Sequence, residues 1–402
     1  MKSIHRIAAL AAALLLVPWA GSHAEVTAEK IMDRKQVQSV TWRDENGNMA
    51  PGPEGYAQVQ YEYAYQVVTE RYFDAEGMPC KSAGGTYGKT VTRDTRNRIA
   101  SIEYLGLDGQ LMANAMGYAK VTYKYFSFVD AEQLVVFYGT DGNPAVVPSL
   151  GYAQVENQYN GVTLTARIYM DEAGNPKDCA AGYATLQRKM NRQHQIIRVW
   201  YEHADGTPAQ GPDGWSRSEI ERDPNNGGKI TKIEYFDAQG GLTDAGGCAR
   251  EEYAYRKDGQ IRITRYDTQG NVIPFGGDVV SVRRRIKNDL LREETFLNEA
   301  GEPTALPEGY AGATYSYNNA GQLTLVQYLD AAGEKTTCRQ GYSAVQNGWD
   351  AEGRLQSRTY LDVNGKPVND LTGVAVERYD YDEEGMLSGT RQYDASGAAA
   401  GN

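Results

Sequence analysis

The sequence predicts an all-β fold, an elongated tandem array of β-hairpins of about 32 residues per unit, forming a curled or wound antiparallel sheet. Three observations predict it. First, an aromatic-x-Asp-x-x-Gly motif recurs, as at Tyr72 to Gly77, Tyr169 to Gly174, Tyr235 to Gly240, Tyr328 to Gly333 and Tyr360 to Gly365. With its looser copies it places glycines at positions 47, 77, 109, 142, 174, 206, 240, 270, 301, 333, 365 and 397. Second, each of the first eleven is followed after seven to nine residues by another glycine, often inside Gly-Tyr-Ala. Third, the segments that follow alternate, as Val59, Tyr61 and Tyr63 do against Gln58, Gln60 and Glu62. That is the period of a strand with one apolar and one solvated face. Composition agrees, with 44 glycines and 29 tyrosines in 402 residues. Collagen is excluded because no glycine-every-third pattern exists, and the even spread of apolar residues opposes low-complexity disorder.

The elements follow in chain order. Lys2 and Arg6 precede an uncharged apolar run from Ile7 to Val17, and Ser22-His23-Ala24 offers a small-x-small cleavage site. Residues 1–24 therefore read as a secretory signal peptide cleaved after Ala24, which places the protein in the periplasm or outside the cell. The run is too short to span a bilayer, and no membrane insertion is expected once the signal is removed. Residues 25–40 are expected to form an N-terminal cap, with Val26 to Gln36 as a short helix. Residues 41–398 are the hairpin repeat domain, and residues 399–402 a disordered tail. A net charge of −11 opposes nucleic-acid binding.

Within each unit, Asp at the first position and Gly at the fourth mark a type I turn closed by a left-handed glycine. Further turns stand between the two strands, as at Asp258-Gly259, Asn318 to Gly321, Asp350 to Gly353 and Asp382 to Gly385. Tyrosines recur six and eight residues after the second glycine, in the pairs Tyr61 and Tyr63, Tyr123 and Tyr125, Tyr253 and Tyr255, Tyr315 and Tyr317, Tyr379 and Tyr381. Residues two apart share a face, so these rings are expected to form a packing ladder along the array. The Gly-Tyr-Ala aromatics lie in loops and are expected to be exposed. Cys80, Cys179, Cys248 and Cys338 occupy four different repeats, too far apart in a linear stack to bridge, and are expected as free thiols.

Tyr266-Asp-Thr-Gln-Gly270, Tyr381-Asp-Glu-Glu-Gly385 and Tyr393-Asp-Ala-Ser-Gly397 resemble the tyrosine-aspartate (YD) repeats of Rhs-type and teneurin-type proteins. The resemblance implies a long β-sheet wrapped into a spiral shell, in secreted or surface proteins that act in contact, adhesion or toxin delivery. The units are also similar to the aromatic-glycine hairpins of bacterial cell-wall-binding repeats. Those rely on tryptophan, and beyond residue 24 only Trp42, Trp200, Trp215 and Trp349 remain here.

Catalytic chemistry finds little support. His194 and His203 have no ligand spacing, and His203 stands where other repeats carry the turn aspartate. Asp44 to Gly47 and Asp362 to Gly365 fall short of a calcium loop, because the distal glutamate is missing. Ala83 to Thr90 is one residue away from a phosphate-binding loop, but a strand pattern follows it rather than a helix. No enzyme, metal or cofactor is expected. The reading is an exported non-catalytic scaffold that binds a glycan, cell-wall polymer or surface protein. Its candidate ligand-binding residues are Tyr56, Tyr118, Tyr152, Tyr183, Trp215, Tyr310 and Tyr342. The alternative is a fragment or accessory of an Rhs-like toxin-delivery shell.

Overall fold

The structure, a computed structural model, describes residues 26–34, 36–127, 131–256, 260–381 and 387–400. The expected signal peptide lies outside the described residues, as do the turns at Asp258-Gly259 and Asp382 to Gly385. The described chain holds 25 strands and one short 3-10 turn, Pro224–Asn226. By contacts it falls into two units, residues 26–218 with 236–241, and residues 219–235 with 242–400.

The N-terminal unit is a succession of antiparallel hairpins, each bonded to the next. Gln58–Ala64 pairs with Val67–Phe73 over seven residues, from Gln58 opposite Phe73 to Ala64 opposite Val67. The junction to the preceding hairpin is shorter, with Ser39 to Thr41 opposite Gln58 to Gln60. The C-terminal unit repeats the scheme. Gly312–Tyr317 pairs along its length with Leu323–Leu329, while only Glu293 to Thr295 meet Gly312 to Thr314. Junctions are short because the strand leaves the ladder at the aspartate turn. Asp74 Oδ1 accepts from the Glu76 and Met78 amides at 3.1 and 2.8 Å, and the Gly77 amide donates to the Asp74 carbonyl at 3.1 Å. Gly77 sits at φ +77°, where a side chain is strained. Asp171 and Asp362 use their carboxylates in the same way, and these hydrogen bonds help hold both below the usual carboxylate range.

The residues expected as a helix at the start are instead an exposed strand, Thr27–Asp33, paired antiparallel with Gln36–Arg43. The segment has no apolar stripe at helical spacing, and the neighbouring strand satisfies its backbone. Gln36–Arg43 also runs across the boundary expected at residue 40. At the other end Ala399, expected in a disordered tail, bridges to Tyr393, and the Ala400 amide donates to the Gln392 carbonyl at 2.9 Å.

After each aspartate turn the loop folds back across one face of the sheet. Loops of successive repeats bond to one another: Ala83 to the Glu54 carbonyl at 2.7 Å, Ala115 to Gly84 at 2.9 Å, Ala180 to Leu150 at 2.8 Å. In the C-terminal unit Arg339 donates to Glu308 at 2.7 Å and Leu371 to Gln340 at 3.1 Å. The core therefore lies between sheet and loops. One cluster holds Val40, Tyr56, Val59 and Tyr72, and another holds Val279, Val282 and Phe296. Among the described residues, substantial strand pairing runs between near neighbours in the chain. The sheets have an aromatic face under the loops and a polar face away from them. The four cysteines are unpaired, three of them buried.

Candidate functional site

Register assigns every strand residue to a face. Val59 and Tyr72 stand opposite one another on the aromatic face, so Gln58 and Phe73, one residue along, stand opposite on the polar face. The expected ligand-binding residues belong to the first of these. Tyr56, Tyr118, Tyr183 and Trp215 are buried, while Tyr152, Tyr310 and Tyr342 are half-buried. The expectation that they are exposed is overturned. The loop that carries each ring turns it under itself, between the motif aromatics of two successive repeats.

The result is a ladder of alternating loop and strand rings. Tyr104, Tyr118, Phe137, Tyr152, Tyr169, Tyr183, Tyr201 and Trp215 follow one another with centroids 4.7 to 6.0 Å apart. In the C-terminal unit Phe296, Tyr310, Tyr328, Tyr342 and Tyr360 repeat the arrangement at 4.5 to 6.1 Å. Burial pushes the phenols of Tyr152 and Tyr201 up to about 12. These rings are occupied in holding the fold together.

The strand tyrosines expected to form the ladder do something else. Tyr61 with Tyr63, and Tyr123 with Tyr125, stack in pairs along one strand at 6.4 Å. The second of each pair ties its hairpin to the preceding one. Tyr63 Oη donates to the Val37 carbonyl at 2.9 Å, Tyr125 Oη to Ile99 at 2.8 Å and Tyr381 Oη to Leu355 at 2.8 Å. Trp349 Nε1 does the same to Leu323 at 2.9 Å.

The polar face carries side chains that the ring ladder does not use, among buried neighbours such as Val136, Ser281 and Leu297. Residues one step beyond the ladder position point there, and several are rings facing a cation. Lys120 lies over Tyr138 at 5.9 Å, Arg250 over Tyr266 at 4.1 Å and Arg378 over Tyr393 at 5.4 Å. All three tyrosines are half-buried. Hydroxyls and amides fill the spaces: Thr122 Oγ1 lies 3.3 Å from Tyr138 Oη, and Gln58 Nε2 donates to Thr41 Oγ1 at 2.9 Å. Beside Tyr253 a hollow of about 280 Å³ is lined by Glu221, Lys232, Glu252, Arg262 and Thr264. This face can stack a flat apolar ring and hydrogen-bond its rim. The polar-face tyrosines were not singled out from sequence. Their signal is strand parity, since a ring one position off the ladder must point the other way.

The histidines and the near-miss loop take structural places. His203 Nδ1 lies 2.6 Å from Asp178 Oδ2 while its backbone closes the turn with Gly206. His194 fills a turn position at φ +59°. Gly88 begins the strand Gly88–Arg93, so a strand follows Gly85, not a helix.

With the geometry established, comparison places the chain in no family. No family model matches, and no curated protein matches. Among solved structures, a crystal structure of TcdB2-TccC3-TEV is 11% identical with a TM-score of 0.34, covering 91% of this chain and 19% of that one. The Photorhabdus luminescens Tc holotoxin pore is 13% identical with a TM-score of 0.24, covering 90% and 20%. A crystal structure of TcdB2-TccC3 is 11% identical with a TM-score of 0.21, covering 93% and 27%. The chain thus spans about a fifth to a quarter of the length of these structures. Likenesses this distant assign it no activity.

Proposed function

We propose that the protein is an exported, non-catalytic repeat scaffold that binds a glycan, cell-wall polymer or surface protein along the polar face of its sheets. One observation carries this reading. The aromatic face is filled by its own ring ladder and loops, whereas the polar face carries half-buried rings and cations at the same place in several repeats. Each unit then gives a small contact, and affinity accumulates over several units engaged together.

Titration calorimetry with solubilised cell-wall glycan tests it. Tyr138→Ala, Tyr266→Ala and Tyr393→Ala should each weaken binding modestly, and the triple variant far more, with circular dichroism unchanged. A triple variant that binds like wild type overturns the reading, as does one substitution that abolishes binding alone. Protection of a co-expressed toxin domain from protease, without glycan binding, would favour the alternative of a toxin-delivery shell.

A further inference from the structure

We infer that Arg262 and Arg283 form an oxyanion-binding site on the polar face of the C-terminal unit, and that its occupant is an acidic polysaccharide. The two residues stand directly opposite in the pairing of Gln260–Tyr266 with Ser281–Lys287. Like charges placed directly opposite across strands oppose pairing unless a counter-charge joins them. None of the described residues supplies one. Arg284 points to the aromatic face and takes Glu294 at 3.2 Å; Arg285 takes Glu293 at 2.9 Å. Arg283, which precedes both, faces Thr295 and meets no carboxylate among the described residues. Arg262 donates through Nε to Ser281 Oγ at 3.0 Å, which fixes the guanidinium and leaves its terminal nitrogens to a ligand.

The surroundings fit an anion. Residues 260–297 carry seven basic side chains against five acidic ones, within a chain of net charge −11. The hollow beside Arg262 is also lined by Thr264, Glu221 and Glu252. Glu221 is held by Lys232 at 2.7 Å and Glu252 lies 3.3 Å from Arg250, so both carboxylates are already matched. Two guanidiniums on adjacent strands present parallel donors to a sulfate or carboxylate oxygen pair. Arg262 and Arg283 are half-buried, and the half-buried Tyr266 ring on the same strand as Arg262 suits a group carried on an extended sugar chain. This rests on the reading of the polar face as the binding face, and adds that the partner is anionic.

The test uses the full chain titrated with dextran sulfate, polygalacturonate, neutral dextran and sodium sulfate. At least one acidic polymer should bind more tightly than dextran, and the two acidic arms separate sulfate from carboxylate preference. Arg262→Gln with Arg283→Gln should weaken that binding about tenfold or more, because each lost charge-assisted contact is strong. Arg43→Gln, a surface arginine paired with Glu29, should change nothing. Affinity should also fall between about 50 and 200 mM salt, and sodium sulfate should compete. Because the double substitution removes a like-charge pair, its melting temperature should hold or rise, which separates lost binding from lost fold. Unchanged affinity in the folded double variant overturns the site. Binding of neutral dextran without the acidic polymers sinks the site yet spares the polar-face reading; binding of no polysaccharide ends the site and leaves that reading only its surface-protein partner.

Discussion

Repeats 104–215 and repeats 247–297 share a backbone scheme and fill it differently. In the first stretch every ladder position holds an aromatic ring, and eight rings succeed one another. In the second, Cys248 takes the loop position, and Arg265 replaces the motif aromatic and lies over Phe275 at 3.8 Å. A tyrosine placed one position later explains much of this. Where the motif reads Tyr266-Asp267 rather than Tyr-x-Asp, the tyrosine falls on the polar face opposite Arg250, and Arg265 inherits the ladder place. The hairpin tolerates this because its hydrogen bonds do not depend on which side chain sits at the rung. Rings set the local stability, and the turns set the fold.

The largest expected contrast is a truncation in each stretch. Tyr183→Ala removes a buried ring between Tyr169 and Tyr201 and should destabilise the N-terminal unit by about 3–5 kcal/mol. Cys248→Ala removes only a sulfur and should cost about 1 kcal/mol in urea unfolding. Equal losses would end the claim that ring continuity matters.

Alkali should separate the stretches next. A phenol whose pKa is raised by folding contributes stability fully present below its unfolded value, and loses it as pH climbs through the folded one. For Tyr152 and Tyr201 that window opens near pH 10 and extends to about 12. Tyrosinate absorbance at the ladder and loss of far-ultraviolet circular dichroism should therefore rise together. Full ionisation near pH 10 with the sheet intact would contradict the burial of the ladder.

A smaller effect should come from repairing the break. Arg265→Tyr returns a ring to the ladder beside Phe275, and should raise stability by about 0.5–1.5 kcal/mol. A clear loss of melting temperature would show that the cation–ring contact is the better filling there. Smallest is a difference in thiol reactivity. Burial pushes the Cys248 thiol up to about 11, so it should label far more slowly in native protein than half-buried Cys80.

Much of the array was legible in the sequence because its determinants are local. Asp74 and Gly77 form their turn from their own backbone geometry, and alternation from Gln58 to Tyr63 sets two faces without outside help. What escaped depends on contacts between segments. Thr27–Asp33 is a strand because Gln36–Arg43 lies beside it, which its own seven residues do not encode. Tyr56 and Tyr118 read as loop residues and are loop residues, yet their loops fold inward over the sheet. Nothing in a Gly-Tyr-Ala triplet states which way the loop will lean. The Arg262–Arg283 pairing likewise needs a register across 21 residues, with a small strand, Val272–Ile273, intervening.

The bonds between successive loops have a consequence for how such a chain can change length. Several repeats are joined to the next twice, once through their strands and once through a loop amide such as Ala83 on Glu54 or Arg339 on Glu308. Excising a whole repeat would bring equivalent donors and acceptors together at both joints. Excising part of one would misalign the loop joint even if the strands re-paired, and would turn tyrosines to the wrong face. Growth or shrinkage is therefore quantised in whole repeats, much as a ruler can be cut cleanly only at its graduations.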